Sequence, residues 1–461
     1  MRASPNENLT FYGMEKNPTT IRLAKMNLAV HGMEGNIQQA ISYYEDPHRT
    51  QGPFDYVMAN PPFNVDEIDA EKMKDDPRLS FGLPGVNKGG KISNGNYVWI
   101  SLFHSYLSDQ GRAGIVMSSQ ASSSGGDEAK VREALIKSGD VDIMLAIRSN
   151  FFYTRTVPCE LWFFDRAKPK CLRDKILMLD ARQVFRKVTR KIYDFSPEQM
   201  HNLAAIIWLY RGEKKRFAKL VQGYLSTARS EAQSAEFAEL LDAHSNADKY
   251  FAQHTDTAEL KASINKLKTN AKKFVDSASN LPKPSVSIAS LNATWTEMQA
   301  ALNQAKTLIQ DIEEMSKRAQ KAQEATAEAG ETASKGKKLL GALNKARAPL
   351  TGDPSDSLTL TGSLKRFCYF EGQADWLLSR FPEGNLRDVE GLVKLVNRKE
   401  LAANDYSLTP GRYVGVASEK DDESFNFKET IKEIHDEIAS LNVESVKLAK
   451  TISKNVEELI K

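Results

Sequence analysis

A chain of 461 residues is long enough for two or three domains, each with a buried core of its own. Hydrophobic residues make up 41% and charged residues 27%, and the net charge of only +3 excludes a strong nucleic-acid field from the total alone. Three scattered cysteines (Cys159, Cys171 and Cys368) give no disulfide framework and no metal-ligand spacing, and no apolar run reaches the ~18 residues of a membrane span. A reducing cytoplasm is the simplest setting, and the start, Met1–Asn6, has no apolar signal core.

The first element is a short strand, Leu9–Met14, ending at Glu15. Asn17 and Pro18 read as the N-cap and first position of a helix over Thr19–Val30, which Gly32 closes. An acidic residue at the carboxyl end of a strand, just before a helix, is a partner for ribose hydroxyls, although the helix dipole also favours it there. The next strand is Phe54–Ala59, and strand, helix, strand at this spacing means a parallel α/β sheet.

That strand opens into Asn60-Pro61-Pro62-Phe63. Two consecutive prolines donate no backbone hydrogen bonds and fix φ, so the strand stops and the turn is stiff. The turn presents an amide, a carbonyl and an aromatic face. Asn60 and the Pro61 carbonyl can accept from an exocyclic amine while Phe63 stacks on the ring, and a base must leave its duplex to be held so. The plainer alternative is a strand end that happens to carry prolines.

Residues 11–20 and 24–29, with Met58 to Asn64, resemble the modification (M) subunit of type I restriction–modification systems. The resemblance extends through Asn94–Ile100, Gly111–Met117, residues 151–153 and Pro158–Phe164. It covers about residues 8–215 and resumes near 365–461. That family comprises N6-adenine DNA methyltransferases that use S-adenosylmethionine. The resemblance implies that Asn60, Pro61, Pro62 and Phe63 hold the flipped adenine, that Glu15 binds the ribose hydroxyls, and that Asn60 also borders the cofactor. The implied partners are double-stranded DNA, a specificity (S) subunit and a restriction (R) subunit.

Two departures follow from the same comparison. The family's glycine-rich cofactor loop lies on the strand before the Glu15 strand, and the eight residues preceding Leu9 do not match it. The family also places an Asp after the next strand, near the cofactor's adenine edge. Counting back from Asp55 puts Ser42 there, and Asp46 substitutes only if the loop has shifted. The chain therefore resembles a family member truncated at its N-terminus, lacking the helical domain and the leading strand. Weak or absent cofactor binding is expected of it alone.

Residues 64–95 read as a long polar loop, where Lys88 and Lys91 are either DNA-phosphate contacts or two solvated lysines. A helix over Tyr97–Leu107 carries His104, for which packing is the simpler role. Gly114–Met117, Val141–Ile147, Cys159–Phe164 and Lys175–Leu179 read as strands, with a helix over Asp127–Ser138. The expectation is a Rossmann-like, class I methyltransferase fold with a mostly parallel sheet, occupying residues 1–195.

Arg182, Arg186, Lys187, Arg190 and Lys191 form a basic run interleaved with apolar residues, a candidate DNA-phosphate patch or a solvated helix face. Heptad steps then appear at Leu260, Ile264, Leu267, Ala271 and Phe274, and at Leu291, Trp295, Met298, Leu302, Ala305, Ile309 and Ile312. They predict a helical hairpin or coiled-coil region over 196–345. Residues 346–424 read as a linker (346–362) and a segment packing back on the core. Ile431, Ile434, Ile438, Leu441, Leu448, Ile452 and Leu459 predict a C-terminal coiled-coil helix over 425–461. The resemblance assigns that helix to contact with the S subunit. The rival readings are a stand-alone N6-adenine methyltransferase and a non-catalytic remnant whose helices bind partners.

Overall fold

Phe11 and Tyr12 open strand β1 (Phe11–Glu15), and the Asn17 side chain accepts from the Thr19 amide (2.9 Å) to cap α1 (Pro18–Val30). Gly32, at φ 68°, takes the left-handed turn that ends this helix. The computed structural model describes residues 9–49, 52–152, 156–189, 191–328, 333–352 and 362–416, with scattered positions between 431 and 453. Residues Met1–Gly415 form one unit and Val416–Lys461 a second.

A strand that periodicity does not announce, β2 (Gly35–Gln39), pairs in parallel with β1. Its sequence has little β propensity, so pairing rather than composition makes it a strand. After β3 (Phe54–Ala59), the 64–95 stretch is ordered around a small ladder of β4 (Ile68–Asp69) and β5 (Lys91–Ile92). Ile68, Met73, Leu79 and Ile92 give it a buried cluster with Val98 and Leu102. Helix α2 (Asn96–Ser105) is shorter than expected, because Leu107 already opens β6 (Leu107–Ser118). The polar run 108–112 hides this start. The β3–β6 register shifts there, and Gly111 lies so close to the Phe54 carbonyl that a Cβ would sit 2.7 Å from it.

Helix α3 (Gly126–Ser138), β7 (Val141–Ile147), β8 (Cys159–Asp165) and β9 (Lys175–Asp180) follow as expected within a residue or two. The basic run 182–191 is not a helix face. It belongs to a β-hairpin, β10 (Arg186–Lys187) against β11 (Tyr193–Asp194). Seven helices come next: α4 (Pro197–Tyr210), α5 (Lys214–Gln233), α6 (Ala238–Phe251), α7 (Ala258–Ser279), α8 (Ile288–Glu328), α9 (Ala333–Thr351) and α10 (Ser363–Leu378). Helix α9 runs through Pro349 to Thr351, so the expected linker from 346 starts later, and residues 353–361 lie outside the described ones. The chain then returns to the sheet as β12 (Val393–Asn397) and a short helix, α11 (Arg398–Ala402).

The main sheet has the order β12-β9-β7-β8-β6-β3. Strands β3, β6, β7 and β9 run one way, and β8 and β12 run against them. The α/β expectation therefore holds, with two reversed strands. Among the described residues β1 pairs only with β2 and β3 only with β6, so the two sheets share no ladder. The starts of β1 and β3 nevertheless meet, with the Tyr12 and Phe54 rings 5.4 Å apart.

One face of the sheet is covered by the helices. Ile143, Leu145, Leu177 and Leu179 share a continuous core with Leu203, Ile206, Phe217 and Phe274. The heptad positions of α7 and α8 are its seam: Leu260, Ile264, Leu267, Ala271, Phe274, Leu291, Met298, Leu302, Ala305 and Ile312 are buried, with Trp295 and Ile309 partly so. Full burial of each large side chain stabilises by about 1.5–3 kcal/mol. No helix of the described residues is long and apolar enough to cross a membrane. Of the C-terminal heptad, Ile434, Ile438, Leu441 and Leu459 lie outside the described residues, while Ile431 and Ile452 are exposed, as is Leu448.

On the other face, residues 404–414 pack as expected, burying Leu408 and Val414. The Leu408 amide donates to the Ser122 carbonyl (2.8 Å), and the Ser122 and Thr409 hydroxyls meet at 2.7 Å. Ser122 also donates to the buried Glu160 of β8 (3.2 Å). Burial pushes the Glu160 carboxyl up from 4.5 to about 8, against the pull of the Ser122 hydrogen bond. The folded chain thus keeps a proton that the unfolded chain releases near 4.5, so stability falls as pH rises between that value and about 8. Glu160→Gln is expected to flatten that part of a denaturation-versus-pH profile. A profile unchanged by the substitution would contradict it.

Candidate functional site

The parallel strands end at one edge of the sheet, and the loop after β3 lies there. Ala59 pairs with Ile115, then Asn60 is exposed, Pro61 buried, Pro62 exposed and Phe63 half-buried. Buried Pro61 anchors the turn, and the amide of Asn60 faces solvent beside it. The Phe63 ring reaches both main cores and meets Phe152 edge-on at 6.4 Å, so it is fixed from behind.

What holds the loop's far end is not evident from the four residues themselves. Asn64 sits at φ 54°, a left-handed conformation that asparagine tolerates. Its amide donates to Asn96 Oδ1 (2.9 Å), and its own Oδ1 accepts from Asn96 Nδ2 (2.9 Å) and Asn94 Nδ2 (3.1 Å). The Asn96 side chain is buried, and Gly95 between them donates to the Val65 carbonyl (2.7 Å). A Cβ on Gly95 would lie 2.6 Å from Ile68 Cδ1 and 3.2 Å from the Val65 carbonyl, so a larger residue requires Ile68 to move. The signal in the sequence is Asn94-Gly95-Asn96, turn residues set directly before an apolar helix. Asn96→Ala is expected to loosen the loop, speeding hydrogen exchange over residues 60–66 while β7, at 141–147, stays as protected as before. Unchanged exchange over that segment would contradict this.

Glu15 ends β1, and its Oε1 accepts from the Asn17 amide (2.8 Å). That bond orients the carboxylate and leaves lone pairs on both oxygens for a diol. Gln39 of β2 lies opposite Glu15 in the parallel ladder, so the loop after β2 leaves the same edge. Ser42 is in that loop, half-buried, with its carbonyl accepting from Arg78 (3.2 Å). Glu15 and Ser42 thus end neighbouring strands of one small sheet, and Asn60 ends β3 of the other.

The proposed DNA cations differ in their surroundings. Lys88 is exposed, whereas Lys91 is 3.1 Å from Asp69 across the β4–β5 ladder. Arg186 makes two bonds to Asp194 (2.8 and 2.7 Å), and Lys187 is exposed. Arg190 lies outside the described residues. The hairpin is tied to the sheet edge that carries Asn60. The Arg148 guanidinium lies between the rings of Phe185 (3.9 Å) and Tyr193 (4.2 Å), and the Tyr193 amide donates to Asn150 (3.0 Å). Phe151 packs on Phe195 at 4.7 Å, next to the Phe152 that meets Phe63.

His104 has a partner that sequence spacing does not suggest, Asp140 at 2.8 Å. Asp140 precedes β7, whereas Asn60 follows β3, and the two strands run the same way. The pair therefore sits at the opposite edge of the sheet, where it ties α2 to the β7 approach. A cleft of about 560 Å³, lined by Tyr44, Asp46, Arg49, Glu71, Asp76 and Arg78 among others, contains neither Glu15 nor Asn60. Among the described residues no group of His, Cys, Asp and Glu has the arrangement of a metal site.

Residues 2–255 match the sequence profile described as N-6 DNA Methylase. The chain is 38% identical over 187 residues to the type I restriction enzyme MjaIX methylase subunit of Methanocaldococcus jannaschii, covering 40% of this chain and 33% of that protein. It is 31% identical over 199 residues to the type I restriction enzyme HindI methylase subunit of Haemophilus influenzae, covering 43% of each. Among solved structures, a type I restriction–modification methyltransferase subunit from Streptococcus thermophilus aligns at 20% identity and a TM-score of 0.39, over 43% of this chain and 47% of that one. The chain thus matches between a third and a half of the length of these relatives.

Proposed function

The chain belongs to the N-6 DNA methylase family, and from that premise we propose that it acts as the modification subunit of a type I restriction–modification enzyme. The reaction is methyl transfer from S-adenosylmethionine to adenine N6 in double-stranded DNA, with the adenine extruded from the duplex. One observation carries the reading. In a chain of this family, Asn60 to Phe63 form a stiff turn at the carboxyl edge of the sheet, clamped behind by Asn64 and Asn96.

Asn60 Oδ1 and the Pro61 carbonyl would accept hydrogen bonds from the two amine N–H groups, which would hold the nitrogen with its lone pair turned out of the ring plane. Phe63 offers the remaining face of its ring to the base. When bound, the cofactor supplies an electrophilic methyl on a sulfonium, and the protein supplies placement and dipoles. Glu15 accepts from the ribose hydroxyls, and Ser42 borders the cofactor's purine. Lys88, Lys187 and Arg190 are the first candidates for backbone phosphates. Lys91 and Arg186 contribute less field, because each already meets a carboxylate. Target choice falls to a specificity subunit, docked on the C-terminal segment 425–461, whose described heptad residues Ile431, Leu448 and Ile452 are exposed. A restriction subunit completes the assembly.

The test is to supply the chain, with its specificity subunit, with tritiated S-adenosylmethionine and duplex DNA and to identify the labelled base. N6-methyladenine is expected. Label in cytosine, or none in any base, would overturn the reading.

A further inference from the structure

We propose that Arg78 is a positioning residue for the cofactor: it holds the loop after β2 as the wall that faces the purine. This rests on the reading of Glu15 as the ribose partner.

The orientation follows from placement alone. A cofactor whose ribose is held at the end of β1 has to point its methyl toward Asn60, at the end of β3. Its purine then points the other way, toward the edge strand β2 and the loop that leaves it. Residues 41–46 of that loop form a turn in which the Tyr44 and Glu45 amides donate to the Ile41 carbonyl (2.8 and 3.0 Å), while the carbonyls of residues 42, 43 and 45 depend on bonds from elsewhere.

Arg78 supplies those bonds from 36 residues away in sequence. It is 3% exposed. Its Nη1 donates to the carbonyls of Ser42 (3.2 Å) and Glu45 (3.3 Å), and its Nη2 to that of Tyr43 (3.2 Å). Asp76 takes the other side of the guanidinium at 2.6 to 3.1 Å, and the Tyr106 hydroxyl lies 3.3 Å from Nη1. One planar cation thus gathers three carbonyls of a single turn, a task that the rigid fork of arginine suits and the point charge of lysine does not. The loop is braced from inside as well. Glu45 accepts from the Ile41 amide (2.7 Å), and the Tyr43 ring packs on Trp99 at 4.5 Å. These contacts set where the loop sits, and the Arg78 bonds set how its backbone faces the cofactor.

Two measurements on the full chain test this: hydrogen exchange followed by mass spectrometry, and calorimetric titration with S-adenosylmethionine. In Arg78→Gln, exchange over residues 40–49 is expected to rise while β7, at 141–147, stays as protected as before. Cofactor affinity is expected to fall by about 10-fold, the worth of one charge-assisted hydrogen bond. Arg78→Lys is expected to recover part of both, which a merely structural loss would not do selectively. Should the glutamine variant not fold, the lysine variant carries the same two readouts. Unchanged exchange over 40–49, or faster exchange with unchanged affinity, would overturn the role of Arg78. Uptake by the unmodified chain is expected to be weak, and none at millimolar S-adenosylmethionine would instead overturn the reading of Glu15, and this inference with it.

Discussion

Asn60→Ala is expected to abolish adenine methylation by the assembled enzyme, lowering kcat by about 10³-fold while DNA affinity is retained. The argument is one of protons and lone pairs. An aryl amine is a weak nucleophile because its nitrogen lone pair is shared with the ring. Two acceptors on its two protons hold that nitrogen in the geometry where the lone pair points out of the ring plane. In the proposed reading Asn60 is one of the two, and Pro61, the other, offers only a backbone carbonyl. Alanine leaves one proton unmatched in a pocket from which water has been displaced. The turn itself should persist, because Pro61 is buried and Asn64 is clamped by Asn96. The loss should therefore appear in turnover and not in folding. Near-normal rates in the variant would show that this loop is not the catalytic centre.

The largest loss of stability is expected from Arg211→Met. Arg211 caps the end of α4 and reaches back to the sheet. Its guanidinium is 2.5 Å from Asp142 of β7 and 2.7 Å from Asp165 of β8. Both aspartates are fully buried, and Tyr210 donates to Asp142 as well (2.8 Å). Burial pushes the Asp142 carboxyl up, with Arg211 and then Lys168 pulling it down. Lys168 is itself buried and pushed down to about 8. Removing Arg211 leaves Asp142 with the weakened Lys168 (3.9 Å) and Asp165 with Arg112 (3.0 Å), and breaking a buried pair in this way costs about 3–5 kcal/mol. The sign of its pH dependence is fixed. Without Arg211 the Asp142 carboxyl rises further above its unfolded value, so the variant regains stability as pH falls and that carboxyl takes up a proton. Asp142→Asn added to the variant should recover part of the loss. Chemical denaturation measures both. A single variant within 1 kcal/mol of the parent chain would contradict the account, being below the typical effect of losing a buried partner.

The parts legible in sequence are those written in local chemistry. The cap at Asn17, the proline turn after β3, the apolar runs of β7 and β8 and the heptads of α7 and α8 all announce themselves within a few residues. The parts that are not legible depend on partners far along the chain. Strand β2 is a strand only because β1 lies beside it. Strand β12 pairs with β9 from more than two hundred residues away, inside a stretch that composition alone assigns to a segment packing on the core. The basic run at 182–191 reads as a helix face because its hairpin is closed by Asp194, outside the run. The site divides in the same way. Asn60 to Phe63 and Glu15 stand at strand ends and are found by position. The Asn94-Gly95-Asn96 turn marks Asn96 as a turn residue but not its partner Asn64, and no local pattern marks Arg78, which acts on carbonyls more than thirty residues away.

The central claim is that the Asn60–Phe63 loop receives an adenine turned out of its duplex. It is tested most directly by placing 2-aminopurine at the target adenine and following its fluorescence as the chain and its specificity subunit bind. A rise in emission on binding, reduced when Phe63 is replaced by alanine, is the result the account predicts. A probe that stays as quenched as in free duplex, with the complex fully bound, would contradict it.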